Sequence, residues 1–210
     1  MMRKDIVILM SFVILFIIGF YFIANSGNAN DTKLPEEIEI YDFVAEPYFE
    51  IDGRSITFED IPENIAEMAV AYEFLYTITG ETDKKAHILA DSETHRLILN
   101  NEKKQIEEEL FMQKFIIHKS TVLTEDQYGR EYAPELGTYT NSLIYDGWRE
   151  CVEKFGLTEF EIINAEFSQC YSPKALERSP QHGNGFHRRS FIVGKNAKDD
   201  AYKIYDFGLM

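Results

Sequence analysis

Residues 6–24 run nineteen positions without a charged side chain, and all but Ser11 and Gly19 are apolar or aromatic. A helix rises about 1.5 Å per residue, so this run spans roughly 28 Å, close to the ~30 Å hydrocarbon core of a bilayer. It has no polar face over five turns, so it does not suit the surface of a globule. Arg3 and Lys4 precede it, and the next basic residue is Lys33. The positive-inside bias then leaves residues 1–5 in the cytoplasm and residues 30–210 outside. The expectation is a single-pass protein of the cell membrane with a signal anchor at 6–24. A cleaved signal peptide is the rival reading, because Gly27-Asn28-Ala29 offers small residues before a cut after Ala29. Both readings export the rest of the chain.

The chain carries a formal charge of −15. Arg3 and Lys4 against Asp5 give residues 1–5 a charge of +1, which leaves −16 on the remainder. Such a body is repelled by phosphate backbones and anionic headgroups, so nucleic acid is excluded as a partner. The membrane is met through residues 6–24 alone. Sixteen Phe and twelve Tyr supply material for a real core. Cys151 and Cys170 are the two cysteines. In an exported domain they form either one disulfide or two free thiols.

Residues 25–46 are polar and aperiodic at their start and read as a tether. Pro47 to Phe58, within residues 47–59, reads as a small hairpin turning at Asp52-Gly53. Residues 60–210 form the main domain. A helix is expected from Asp60, as cap, to Thr79, with Ile65, Met68, Ala69, Tyr72, Leu75, Tyr76 and Thr79 on the inward stripe. A short helix follows from Asp83 to Ala90. A third runs from Glu93 to Phe115, with Leu97, Ile98, Ile106, Leu110, Phe111 and Phe115 inward. Residues 115–123 switch to strand character, and Glu125 to Thr138 reads as loop. A helix opening at Asn141 or Ser142 carries Trp148 and Cys151 on one side and stops at Gly156. Strands follow at 157–169, 186–193 and 201–209, with a polar excursion at 171–185. This order predicts an α+β fold, with helices packed on a curved, mostly antiparallel sheet.

The long helix Asp60–Thr79, the helix Asp83–Ala90 and the strand-rich second half, ending Tyr202-Lys203-Ile204-Tyr205-Asp206-Phe207-Gly208, resemble the nuclear transport factor 2-like superfamily. The resemblance covers about residues 60–210 and departs at the helix ending in Phe155. It implies a cone whose cavity holds a substrate, a ligand or only side chains. It also implies kinship with bacterial proteins that carry one N-terminal membrane helix and such a domain, among them scaffold subunits of conjugation and secretion machines. Fold-level likeness transfers no activity.

The densest polar group runs from Ser179 to Ser190. Its His182, Asn184, Arg188 and Arg189 are candidates for holding an anionic ligand or an acidic partner. Strand alternation sends Arg188 and Arg189 to opposite faces. His118 and His187 are candidate acid–base groups, with Asp206 or Glu166 as the carboxylate. His87 and His95 stand eight apart, without the spacing of a helical metal pair, so no metal is expected. The chain has no phosphate-binding loop, dinucleotide fingerprint or nucleophile elbow, and no cofactor is expected. The function read from this is a non-catalytic, membrane-tethered extracytoplasmic binding or scaffold module for an envelope protein or a small ligand. The alternative is a cavity enzyme of the isomerase, dehydratase or hydrolase type using a His–carboxylate pair.

Overall fold

The computed structural model describes residues 47–128, 130–133, 136–140, 147–178 and 183–209. The expected anchor at 6–24, the whole tether at 25–46, the expected helix start at Asn141 or Ser142 and His182 lie outside these residues. No helix among the described residues is long and apolar enough to cross a membrane.

The hairpin forms as the sequence predicts. Strands β1 (Tyr48–Ile51) and β2 (Arg54–Phe58) pair antiparallel across Asp52 (φ 50°) and Gly53 (φ 73°). Two successive positive φ angles are what a tight hairpin turn requires, and an Asp-Gly pair accepts them. The hairpin is not an isolated appendage. β2 pairs in parallel with β3 (Met112–Leu123), which joins it to the main sheet. The other strands are β4 (Glu131–Ala133), β5 (Thr138–Thr140), β6 (Leu157–Tyr171), β7 (Gly185–Asn196) and β8 (Asp199–Leu209). Six of them form one sheet in the order β1-β2-β3-β6-β7-β8, and β4 and β5 pair as a separate ribbon. The fold is therefore α+β with a mostly antiparallel, curved sheet, bulged in β3, β6, β7 and β8 pairings.

The described residues hold five helices: α1 (Ile65–Thr79), α2 (Thr82–Ile88), α3 (Glu93–Glu107), α4 (Gly147–Phe155) and α5 (Pro173–Arg178). Several expected boundaries move. Asn64, not Asp60, caps α1, its side chain accepting from the Glu67 amide at 2.9 Å. Asp60 instead accepts from the Ser120 amide and ties the approach to α1 onto β3. The buried face of α1 is broader than the expected stripe. Ala69 is buried and Tyr72, Leu75 and Tyr76 pack partly on the core as expected, but Ala66, Val70, Phe74 and Ile78 are buried too, whereas Ile65 is exposed. The cause is composition: α1 is apolar on most sides, so no single stripe stands out. α3 ends at Glu107, not Phe115, because Glu109 takes a positive φ of 60° and the chain turns into β3. His95 is the one buried residue of α3, and Leu97, expected inward, is exposed.

Two cores follow from strand alternation. On one face, which we call the sealed face, α1 presses Phe74 against Phe115, Phe167 and Phe191, with ring centroids 5.0, 4.8 and 5.8 Å away. All four rings are at most 3% exposed. On the opposite face α4 covers one end of the sheet, where Trp148 stacks on Phe160 and Phe155 meets Tyr205. Cys151 packs there, and burial pushes its thiol up to about 12. Cys151 and Cys170 are free thiols, so the candidate disulfide does not form. Cys170 lies eight residues along β6 from Ile162, beside which Cys151 packs. At about 3.3 Å per residue that is roughly 26 Å, far beyond the span of a disulfide.

Candidate functional site

Each face of the sheet carries a polar constellation among the described residues. The sealed-face group is centred on Lys85 of α2, which is fully buried. Its Nζ donates to Glu73 Oε1 of α1 at 2.9 Å, to Glu102 Oε1 of α3 at 2.7 Å and to Thr77 Oγ1 at 2.6 Å. Burial alone pushes the Lys85 pKa down, but the two carboxylates outweigh it and the ammonium is held charged. Burial raises the Glu102 pKa, with Lys85 opposing. Arg189 approaches Glu73 Oε1 at 3.9 Å while its guanidinium lies over the rings of Phe167 and Phe207. Three helices and β7 are thereby tied at one point. The second oxygens of Glu73 and Glu102 are buried without partners.

Among the described residues, α4 packs on the opposite face near Ile162 and Ile192; Asn164 and Ser190 in the next row are buried, and exposure begins at the Glu166–Arg188 row. The β3–β6 register shifts between Ile117 and Lys119, and this bulge carries His118. A bulge re-aims a side chain. Here His118 Nδ1 lies 2.7 Å from Glu59 Oε2, and Nε2 lies 2.7 Å from Ser168 Oγ. Phe186, the cross-strand partner of Ser168, stacks on the imidazole with centroids 5.9 Å apart. In the next row Arg188 donates through Nε to Glu166 Oε1 at 3.0 Å, and its guanidinium lies over Phe186. Phe186 is 54% exposed and the His118 side chain 29%.

The expected pairings are therefore redistributed. Arg188 and Arg189 do face opposite sides of the sheet, but each answers an internal carboxylate. Glu166 serves Arg188, not a histidine. Asp206 is no partner of His118. It lies on β8, separated from β3 by β6 and β7, which is about 14 Å at 4.8 Å per strand. Its Oδ1 accepts from the Phe207 amide. His187 lies beside Phe167 on the sealed face and donates to the Gly183 carbonyl at 3.2 Å. Asn184 accepts from the Tyr171 amide, a structural task at the end of β6. Tyr72, Phe74, Tyr76 and Trp148 do not share a pocket, since Trp148 is on the α4 side. Sequence reading missed Glu59, Ser168, Glu73, Lys85 and Glu102. The only local sign was Lys85 itself, a basic residue where α2 needs an inward one.

Among the described residues no group of three His, Cys, Asp or Glu side chains is placed to hold a metal. Comparisons with protein-family models, with curated proteins and with solved structures find no match.

Proposed function

We propose that the chain is a membrane-tethered extracytoplasmic module, anchored through residues 6–24, that binds a protein of the cell envelope across the open end of its sheet. The observation that carries this reading is the packing of Phe74, Phe115, Phe167 and Phe191. They fill the space under α1 in which a cone-shaped domain of the nuclear transport factor 2-like kind would hold a small ligand. The helix pair α1–α2 on the sealed face supports that likeness, while α4 on the other face is a departure from it. Binding then belongs to the surface. The open end presents Phe186, Arg188 and His118 together, and Tyr48 stands exposed on the same face of β1. Aromatic and Arg side chains are the residue types that anchor protein interfaces. The −16 charge of the chain beyond residue 5 favours a partner with a basic or neutral surface.

The tether is tested by fractionation and protease protection. The full chain should stay with carbonate-washed membranes, and protease added outside the cytoplasmic membrane should remove residues 47–210. Recovery in the soluble cytosolic fraction, or complete protection of the domain, would overturn the reading.

A further inference from the structure

We propose that Ser168 is an acyl-accepting nucleophile, activated by His118 and Glu59. The three residues come from just beyond β2, the bulge of β3 and the C-terminal part of β6, separated by 59 and 50 positions. Local sequence does not force them together, yet both contacts close at 2.7 Å. The choice of ring nitrogens is the productive one. An ionised carboxylate only accepts, so Glu59 fixes the proton of the neutral imidazole on Nδ1. The lone pair of Nε2 then faces Ser168 Oγ and accepts its hydroxyl proton. Carboxylate to Nδ1 and serine to Nε2 is the arrangement by which acyl-transfer triads are recognised, whatever their fold. Phe186 stacked on the imidazole restricts its rotation.

The site favours activated acyl donors, aryl esters or thioesters. Ser168 pairs in both ladders, with Ile116 and with Phe186, so its backbone sits in a sheet and not on a strand-to-helix elbow. The cation for the developing oxyanion is Arg188, a diagonal cross-strand neighbour of Ser168 at about 7–8 Å between backbones, within reach of a long side chain. Only its Nε is engaged by Glu166. Phe186, exposed beside His118 and Arg188, offers apolar contact to the acyl or leaving group. In the step, Ser168 Oγ attacks the carbonyl carbon while its proton passes to His118 Nε2. The bond to the leaving alkoxide or thiolate breaks, and Nε2 returns the proton to it. Water, deprotonated by the same nitrogen, then attacks the acyl carbon; the bond to Ser168 Oγ breaks, Nε2 returns the proton to Oγ, and a carboxylic acid and free Ser168 result.

The test uses the full chain in detergent and a fluorophosphonate probe, which forms a serine–phosphorus bond with loss of fluoride. Mass spectrometry of the digest should place the adduct on Ser168. The rate should fall about 100-fold or more in His118→Ala and about 10-fold in Glu59→Gln, the scale of general-base assistance. Ser168→Ala should give no adduct at this peptide. Far-UV circular dichroism should be unchanged in all three. An unlabelled Ser168 in the folded wild type, or a His118→Ala variant that labels as fast as wild type, would overturn the proposal. Neither outcome touches the membrane tether, which is read from fractionation.

Discussion

The two faces of the sheet carry similar chemistry in opposite settings. Under α1, Lys85 sits between two carboxylates and a hydroxyl with no access to water. On the open face, His118 sits between a carboxylate and a hydroxyl at comparable distances, but is partly exposed. The first group ties three helices together, and its two unpartnered carboxylate oxygens are buried. The second bridges two strands and the β2 exit, leaving its titratable ring and its serine reachable. Burial, not residue type, separates a structural polar group from one available for chemistry.

The largest expected effect lies on the sealed face. Lys85→Met should lower stability by about 3–5 kcal/mol in denaturant melts, because it leaves Glu73 and Glu102 buried without their cation. Adding Glu73→Leu to it should recover part of the loss. A Lys85→Met protein as stable as wild type would break the contrast.

Next in size is Gly194, at the end of the opposite face covered by α4. A Cβ there would lie 2.3 Å from the Glu159 carbonyl oxygen and 2.9 Å from Phe160 Cβ. Gly194→Ala should cost about 1–3 kcal/mol as an overpacked site, read as a lower melting temperature. The loss should be absent from substitutions eight residues back along β7 at the exposed Phe186.

The sealed side also has a pH signature. Burial lowers the pKa of His95, which contacts the Ala90 carbonyl through Nδ1 at 2.7 Å and stacks on Phe207. A histidine with a depressed folded pKa contributes stability that is present above its unfolded value of about 6.5 and is lost as pH falls through that value toward the folded pKa. The wild type should therefore lose stability between pH 7.5 and pH 5.5, and His95→Gln should lose less over the same interval.

The smallest expected changes in stability belong to the open face. His118→Ala and Ser168→Ala should each stay within about 0.5 kcal/mol of wild type, since partly exposed polar side chains contribute little. A loss as large as that of Lys85→Met would make the open-face trio structural too.

Sequence legibility tracked the range of the interactions involved. The Asp52-Gly53 turn, the strands expected at 157–169 and 186–193 and the split of Arg188 from Arg189 all follow from local conformation or period-2 alternation; they hold, with the strands extended to 157–171 and 185–196. The stripe of α1 was drawn too narrow because Ala, Val, Tyr and Phe surround the helix. The end of α3 was misplaced because apolar residues at 110–115 continue a helix-like pattern into β3. Neither polar trio was legible. Lys85, Glu73 and Glu102 come from three helices, and Glu59, His118 and Ser168 from the exit of β2 and from two strands, so only tertiary packing brings them together. His118 was singled out, but the sheet order gave it Glu59 where Asp206 or Glu166 had been expected.

The central claim is that the open end of the sheet is the working surface of the molecule. It is tested most directly by placing a photo-crosslinking residue at Phe186 in the full chain within its native membrane, with a second version at Leu97, which is exposed on α3. The account predicts a discrete higher-mass product from position 186 and none from position 97. A product from 97 alone, or equal products from both, would contradict it.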